Sequence, residues 1–147
     1  MTQVSVFNPA LWEECESLYP TLEQVCLQLQ DQYGLIANLL LLAFVLDKKQ
    51  IGLPHDTWQQ LHQQVDGWQS RVLTPFRRLR KLAKSNVAAT EYQQMLDVEL
   101  LLERKGQLFV SHQLEVISPE ISQDNSNLSD YLSLFNIDQQ QFPQLQA

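Results

Sequence analysis

Acid–base, nucleophilic or metal chemistry in this chain of 147 residues would fall to three histidines, two cysteines and 17 carboxylates. His55 and His62 stand seven positions apart and share a helical face, yet no carboxylate or cysteine joins them at metal-ligand spacing, so no metal site is expected. Cys15 and Cys26 fall on the apolar stripes of successive helices, with nothing nearby in sequence to activate a thiolate. That is the pattern of small core residues. Glu13, Glu14 and Glu16 suit the first turns of a helix, where negative charge meets the positive end of its dipole, and they form no catalytic dyad. Isolated Asp31, Asp47 and Asp66 do not make the paired aspartate-rich motifs that an all-helical, metal-dependent enzyme would need. No catalytic residue, metal or cofactor is assigned, and an enzyme is the less favoured reading.

Two polar features stand apart from that background. Asn38 interrupts the apolar run from Leu35 to Leu46, and an amide left unpaired in an apolar core costs roughly 1–3 kcal/mol, so it must be hydrogen-bonded. Two readings are open. Asn38 ties its helix to a backbone carbonyl or to Arg80 on a neighbour, or it lines a small pocket in which Gln30 and Arg80 meet an anionic ligand. The second feature is the stretch 71–84, which holds six of the ten basic residues and no acid. It is therefore +6, while the remainder, four basic against 17 acidic residues, is −13. Arg77, Lys81 and Lys84 recur at three- and four-residue steps and are expected to project together. Phe76, Leu79 and Ala83 would anchor the opposite side, with Arg80 at the border, partly buried and paired.

A basic face of this kind suits phosphates, lipid head groups or an acidic protein patch. Glu91, Asp97, Glu99 and Glu103, further along, supply an acidic neighbour that would neutralise it with no ligand at all. Nucleic acid is the least favoured partner, because there is no glycine-rich loop, no helix-turn-helix spacing and a strongly acidic remainder.

The elements that must position these residues follow from apolar spacing. The stretch 35–46 is apolar on every helical face apart from Asn38, so it reads as the body of a central helix over about 35–47 that is covered on several sides. Its length, about 18 Å at 1.5 Å per residue, falls well short of the ~30 Å of a hydrocarbon core, and no membrane span is expected. Before it, Asn8-Pro9 starts a helix carrying Leu11, Trp12, Cys15, Leu18 and Tyr19, which should end at Pro20. Thr21 and Gln24 would cap a second helix carrying Leu22, Val25, Cys26 and Leu29, closed by Gly34 in a left-handed turn. After it, Trp58, Leu61, Val65, Trp68 and Val72 mark a further buried stripe, with a break or strong kink at Pro75. Thr90 and Gln93 would cap a helix reaching Lys105 before Gly106. Residues 107–117 are ambiguous between helix and strand and are read as helix. From 118 to 127 the chain is rich in Ser, Asn and Asp and reads as a linker. Beyond it Leu128, Tyr131, Leu132 and Phe135 share one face of a short amphipathic helix that must dock on its own domain, a second copy or a partner.

Few glycines and prolines, with abundant Leu and Gln, favour an all-α class. The expected architecture is a compact multi-helix bundle over 1–117, followed by a linker, a short helix and a Gln-rich tail over 118–147. Two cysteines and no readable secretory signal point to the cytoplasm.

Taken together, Leu11-Trp12 with Leu18-Tyr19, Cys26 to Asp31, Gly34, Asn38 to Leu41, Trp68 and Pro75 to Lys84 resemble a family of small uncharacterised bacterial proteins known only by a domain-of-unknown-function label. The resemblance covers roughly residues 7–105. It implies a helical cytoplasmic domain and places Gln30, Asn38, Trp68, Arg77 and Arg80 on the family's polar and aromatic signature, but implies no activity. The chain departs from that pattern at Ile36, where the family carries an acid, and over Phe44 to Leu46, where it carries a tryptophan. The leading expectation is a non-enzymatic interaction module. It would use the basic face of Arg77, Arg80, Lys81 and Lys84, or the C-terminal helix, to bind an acidic protein surface or a second copy. The alternatives are a pocket for an anionic small molecule at Asn38, Gln30 and Arg80, and RNA binding through the basic helix.

Overall fold

Six α-helices and one short strand pair make up the described residues 9–115, 120–121 and 126–145 of the computed structural model. The helices are α1 (Pro9–Tyr33), α2 (Ala37–Lys48), α3 (His55–Trp68), α4 (Thr74–Ala83), α5 (Ala89–Leu114) and α6 (Asn127–Ser133). The class is all-α, and the only strands among the described residues, β1 (Ile51–Gly52) and β2 (Glu120–Ile121), pair antiparallel with Ile51 opposite Ile121.

The break expected at Pro20 does not occur: α1 runs unbroken through it. Leu11, Cys15, Leu18, Leu22, Val25 and Leu29 continue one stripe at alternating four- and three-residue steps across the proline, and all six pack in or against the core. An interior proline costs about 3 kcal/mol, whereas each buried aliphatic side chain contributes about 1.5–3 kcal/mol. The stripe outweighs the proline, which lies exposed on the outer side. Gly34 closes the helix as its spacing suggested, with φ of 77° and its N–H bonded to the Gln30 carbonyl at 3.0 Å.

After Leu35 and the extended Ile36, both buried, α2 begins at Ala37 and buries every residue from Leu39 to Asp47. It packs against α1 on one side and α6 on another, which makes it the central helix of the bundle. Trp58, Leu61 and Val65 of α3 are buried in the same core.

Pro75 produces neither a break nor a new start. Trp68, Gln69, Leu73 and Thr74 all keep right-handed helical dihedrals, and the chain passes from α3 to α4 through a π-helical turn over Gln69–Leu73, with the Thr74 N–H bonded to the Gln69 carbonyl. The wide turn absorbs the mismatch that a proline ring imposes on the turn before it. The capping signal of α5 is also displaced from Thr90 and Gln93: the Glu91 carboxylate accepts the Ala88 N–H at 2.8 Å. Gly106 does not end this helix. It sits buried in mid-helix, where an added Cβ would lie 3.6 Å from Trp68 Cδ1, and α5 continues to Leu114, so the described part of 107–117 is helical.

The expected linker lies largely outside the described residues, but its described part is engaged. Glu120 and Ile121 pair with β1, and Asn127 is buried. The α6 side chains Leu128, Tyr131 and Leu132, expected as a docking surface, are buried within their own domain, and Phe135 packs against the same cluster half-buried. They are therefore not available to a partner. Residues on either side of position 117 share one core. The buried Asp47 carboxylate accepts the Asn127 and Leu128 N–H groups at 2.9 and 3.0 Å, fixing the start of α6 on the end of α2.

Candidate functional site

Helix α4 faces α5 with charge rather than with a leucine stripe. Arg77 Nη2 donates to Glu103 Oε1 at 2.9 Å, and Arg77 Nε lies 3.7 Å from Glu99. Arg80 donates from Nε to Glu99 and from Nη1 to the Tyr92 hydroxyl at 3.0 Å. Phe76 and Ala83 share this half-buried side. The expected phase of the helix is therefore corrected at two positions. Arg77 turns inward to the acids of α5, and Leu79 turns outward, 56% exposed beside Leu82 at 70%. Two carboxylates on the neighbour set which side of α4 packs, because leaving them partly buried and unpaired would cost more than exposing a leucine. Arg80 is half-buried and paired, as its border position suggested.

What remains outside is a mixed face. Arg78, Lys81 and Lys84 are exposed next to Leu79 and Leu82, and no residue of α4 is fully buried. Lys84 Nζ lies 5.7 Å from the centre of the Tyr92 ring. Arg78 and Lys81 form no ion pair among the described residues.

Asn38 satisfies the tie foreseen for it: Nδ2 donates to the Glu103 carbonyl at 3.3 Å, and Oδ1 accepts from Gln107 at 3.4 Å. It also lines a cleft of about 380 Å³ between α1, α2 and α5, which Gln30 and Arg77 share with it. Arg80 is not among the residues that line the cleft, so Asn38 and Arg80 do not converge on one ligand. Tyr19, read in the sequence only as part of an apolar stripe, belongs to the cleft, and so do Gln69 and Gln107, which went unmarked there. Gln69 arrives through the π turn and Gln107 through the extension of α5 past Gly106, and neither irregularity has a local signal. Trp68 closes the neighbouring wall, its indole N–H bonded to the Leu102 carbonyl at 3.0 Å and its ring meeting Phe109 edge-on at 5.2 Å.

No group of three His, Cys, Asp or Glu among the described residues is placed to hold a metal ion. His55 lies 3.1 Å from Asp130, and His62 meets the Tyr131 hydroxyl at 2.9 Å. Burial pushes the Cys15 thiol up to about 12, reinforced by Glu14 and Glu16, and the Cys26 thiol to about 11, reinforced by Glu23. Neither is a nucleophile near neutral pH.

The family model described as Protein of unknown function (DUF2390) matches residues 10–109. The chain belongs to that family. The resemblance carried by the tryptophan, asparagine and arginine motifs is thereby borne out, and the DUF2390 match contains the cleft residues and the whole α4–α5 seam. It stops before Val110, Leu114 and α6, which complete the core from outside it. No curated protein and no solved structure matches the chain. No helix among the described residues is long and apolar enough to cross a membrane.

Proposed function

We propose that this DUF2390 protein is a non-enzymatic interaction module of the cytoplasm that docks an acidic, amphipathic segment of a partner protein on the outer face of α4. The observation that carries the reading is the exposure of Leu79 and Leu82 beside Arg78, Lys81 and Lys84 on a helix that buries no residue. Two adjacent leucines offer about 1.5–3 kcal/mol each when covered. The flanking cations select for negative charge and speed encounter. The −13 carried by the rest of the chain disfavours an anionic lipid or nucleic-acid surface, which would meet that charge as well as the patch. A folded partner segment can contact α4 alone.

The test is binding of a labelled amphipathic helical peptide of Leu and Glu to the full chain at low and high salt, with a Leu/Lys peptide, phosphatidylglycerol vesicles and single-stranded RNA as competing probes. The reading expects binding of the acidic peptide only, weakened by salt. It also expects that binding to be lost in Arg78→Glu/Lys81→Glu/Lys84→Glu and in Leu79→Ser/Leu82→Ser. Both variants alter exposed side chains and should stay folded. Equal binding of both peptides, preference for vesicles or RNA, or unchanged binding by either variant overturns it. So does a concentration-dependent mass in sedimentation that the leucine variant abolishes, because a second copy would then be the occupant.

A further inference from the structure

We infer that the cleft between α1, α2 and α5 is a binding site for an uncharged, flat, hydrogen-bonding molecule of nucleobase or nucleoside size. Its volume of about 380 Å³ lies at the small end of the range for ligand sites, roughly 300–1,000 Å³. The charges in its wall are already matched in pairs, Arg77 with Glu103 and Arg104 with Glu16 at 3.3 Å. A phosphate or carboxylate would have to displace an existing partner to gain a cation.

Three half-buried polar side chains of the lining, Tyr19, Gln30 and Gln69, have no hydrogen-bond partner among the described residues. Two of the three are primary amides. An amide presents a donor and an acceptor side by side, the complement of the adjacent donor and acceptor on a base edge. Ile36, Leu41 and Leu100 supply apolar wall for the faces of a ring. Gln69 belongs to the π turn, a departure from the helical repeat that often accompanies functional sites. A sugar, with hydroxyls on every side, would waste the apolar wall. A nucleotide would bring a charge with no unengaged counterion.

This site is separate from the α4 outer face, so the two readings fail independently. The test is titration of the full chain with adenine, adenosine, uridine, AMP and ribose, followed by calorimetry and by backbone amide NMR. A base or nucleoside should bind saturably and more tightly than ribose or AMP, with shifts centred on Tyr19, Gln30 and Gln69. Gln30→Ala/Gln69→Ala should weaken that binding about tenfold or more, since each lost amide removes a hydrogen bond made to the ligand. Its melting temperature should be unchanged, because neither side chain has a hydrogen-bond partner among the described residues. Tyr19→Phe, which removes only a hydroxyl, guards against a fold defect in the double variant and should weaken binding too. Triple reversal on α4 should leave binding as it was. No binding by bases or nucleosides at millimolar concentration, preference for ribose or AMP, shifts confined to other surfaces, or unchanged affinity in both Gln30→Ala/Gln69→Ala and Tyr19→Phe overturns the inference.

Discussion

Arg77 and Arg78 are adjacent in the chain and have opposite surroundings, one half-buried between Glu99 and Glu103, the other in solvent. Apolar spacing alone does not separate them, because the partner that decides the phase of α4 lies some twenty residues away on another helix. Asn38 was readable for the opposite reason: an amide in an apolar run forces a hydrogen bond whatever its partner proves to be. Arg80→Ala removes three hydrogen bonds from the seam and leaves Glu99 partly buried with fewer partners, so it should cost about 1–3 kcal/mol in urea unfolding. Lys81→Ala should stay within about 0.5 kcal/mol. Equal effects would show that the seam is not what holds α4. His62 supplies a pH dependence. The Tyr131 hydroxyl accepts the Ile36 N–H and is hydrogen-bonded to His62 Nδ1 at 2.9 Å. Burial lowers the His62 pKa below its ordinary value, opposed by Asp66 on the same helix. The unfolded chain therefore takes up this proton first, and stability present above pH ~6.5 is lost as pH falls through that value toward the folded pKa. His62→Gln, which keeps an uncharged hydrogen-bonding group beside Tyr131, should flatten the loss between pH 7.5 and pH 5.5. A variant whose stability falls as steeply as the parent's would place the titrating group elsewhere.

At the scale of elements, the stripes of α1, α2 and α3 were legible and the prolines were misleading. A proline signals an ending only when no apolar stripe crosses it. At Pro20 the stripe continues in register, and at Pro75 a π turn restores the register that the ring disturbs. Glycines within helices give a direct check on this view of backbone cost. An added Cβ at Gly67 meets nothing within 4 Å, so Gly67→Ala should stabilise the chain by about 0.5–1 kcal/mol in the urea midpoint. Gly34→Ala, at φ of 77°, should destabilise it by about 1 kcal/mol. The C-terminal helix was legible as a docking helix, but its receptor was not, because its apolar face carries no label for what it meets. Since Leu128, Tyr131 and Leu132 are buried against α2 and α3, truncation after Ile117 should abolish cooperative unfolding, as measured by circular dichroism. A truncated chain that still melts cooperatively would mean that α6 only decorates a core complete without it.

Across the whole molecule, burial is uneven. Among the described residues, the buried apolar side chains lie in α1, in α2 with its flanking Leu35, Ile36 and Leu53, in α3, the π turn, the last turns of α5 and the C-terminal segment. Helix α4 and the first half of α5 form a hairpin held by charge and half-buried contacts. Amide hydrogen exchange should accordingly be slowest in α2 and markedly faster over 74–100. Uniform protection would contradict the division. That split between a basic segment and an acidic remainder was visible in the sequence, but the closure of the core was not, since it depends on contacts spanning about eighty residues. That span has a consequence during translation. The ribosome delivers α2 long before α6, so the leucines of α2 emerge and wait, one flank covered by α1 and the other open, while the hairpin and the rest of α5 are still being made. Until α6 leaves the exit tunnel, the nascent chain carries an uncovered leucine surface. A nascent chain halted before α6 should therefore aggregate more readily than one that includes it.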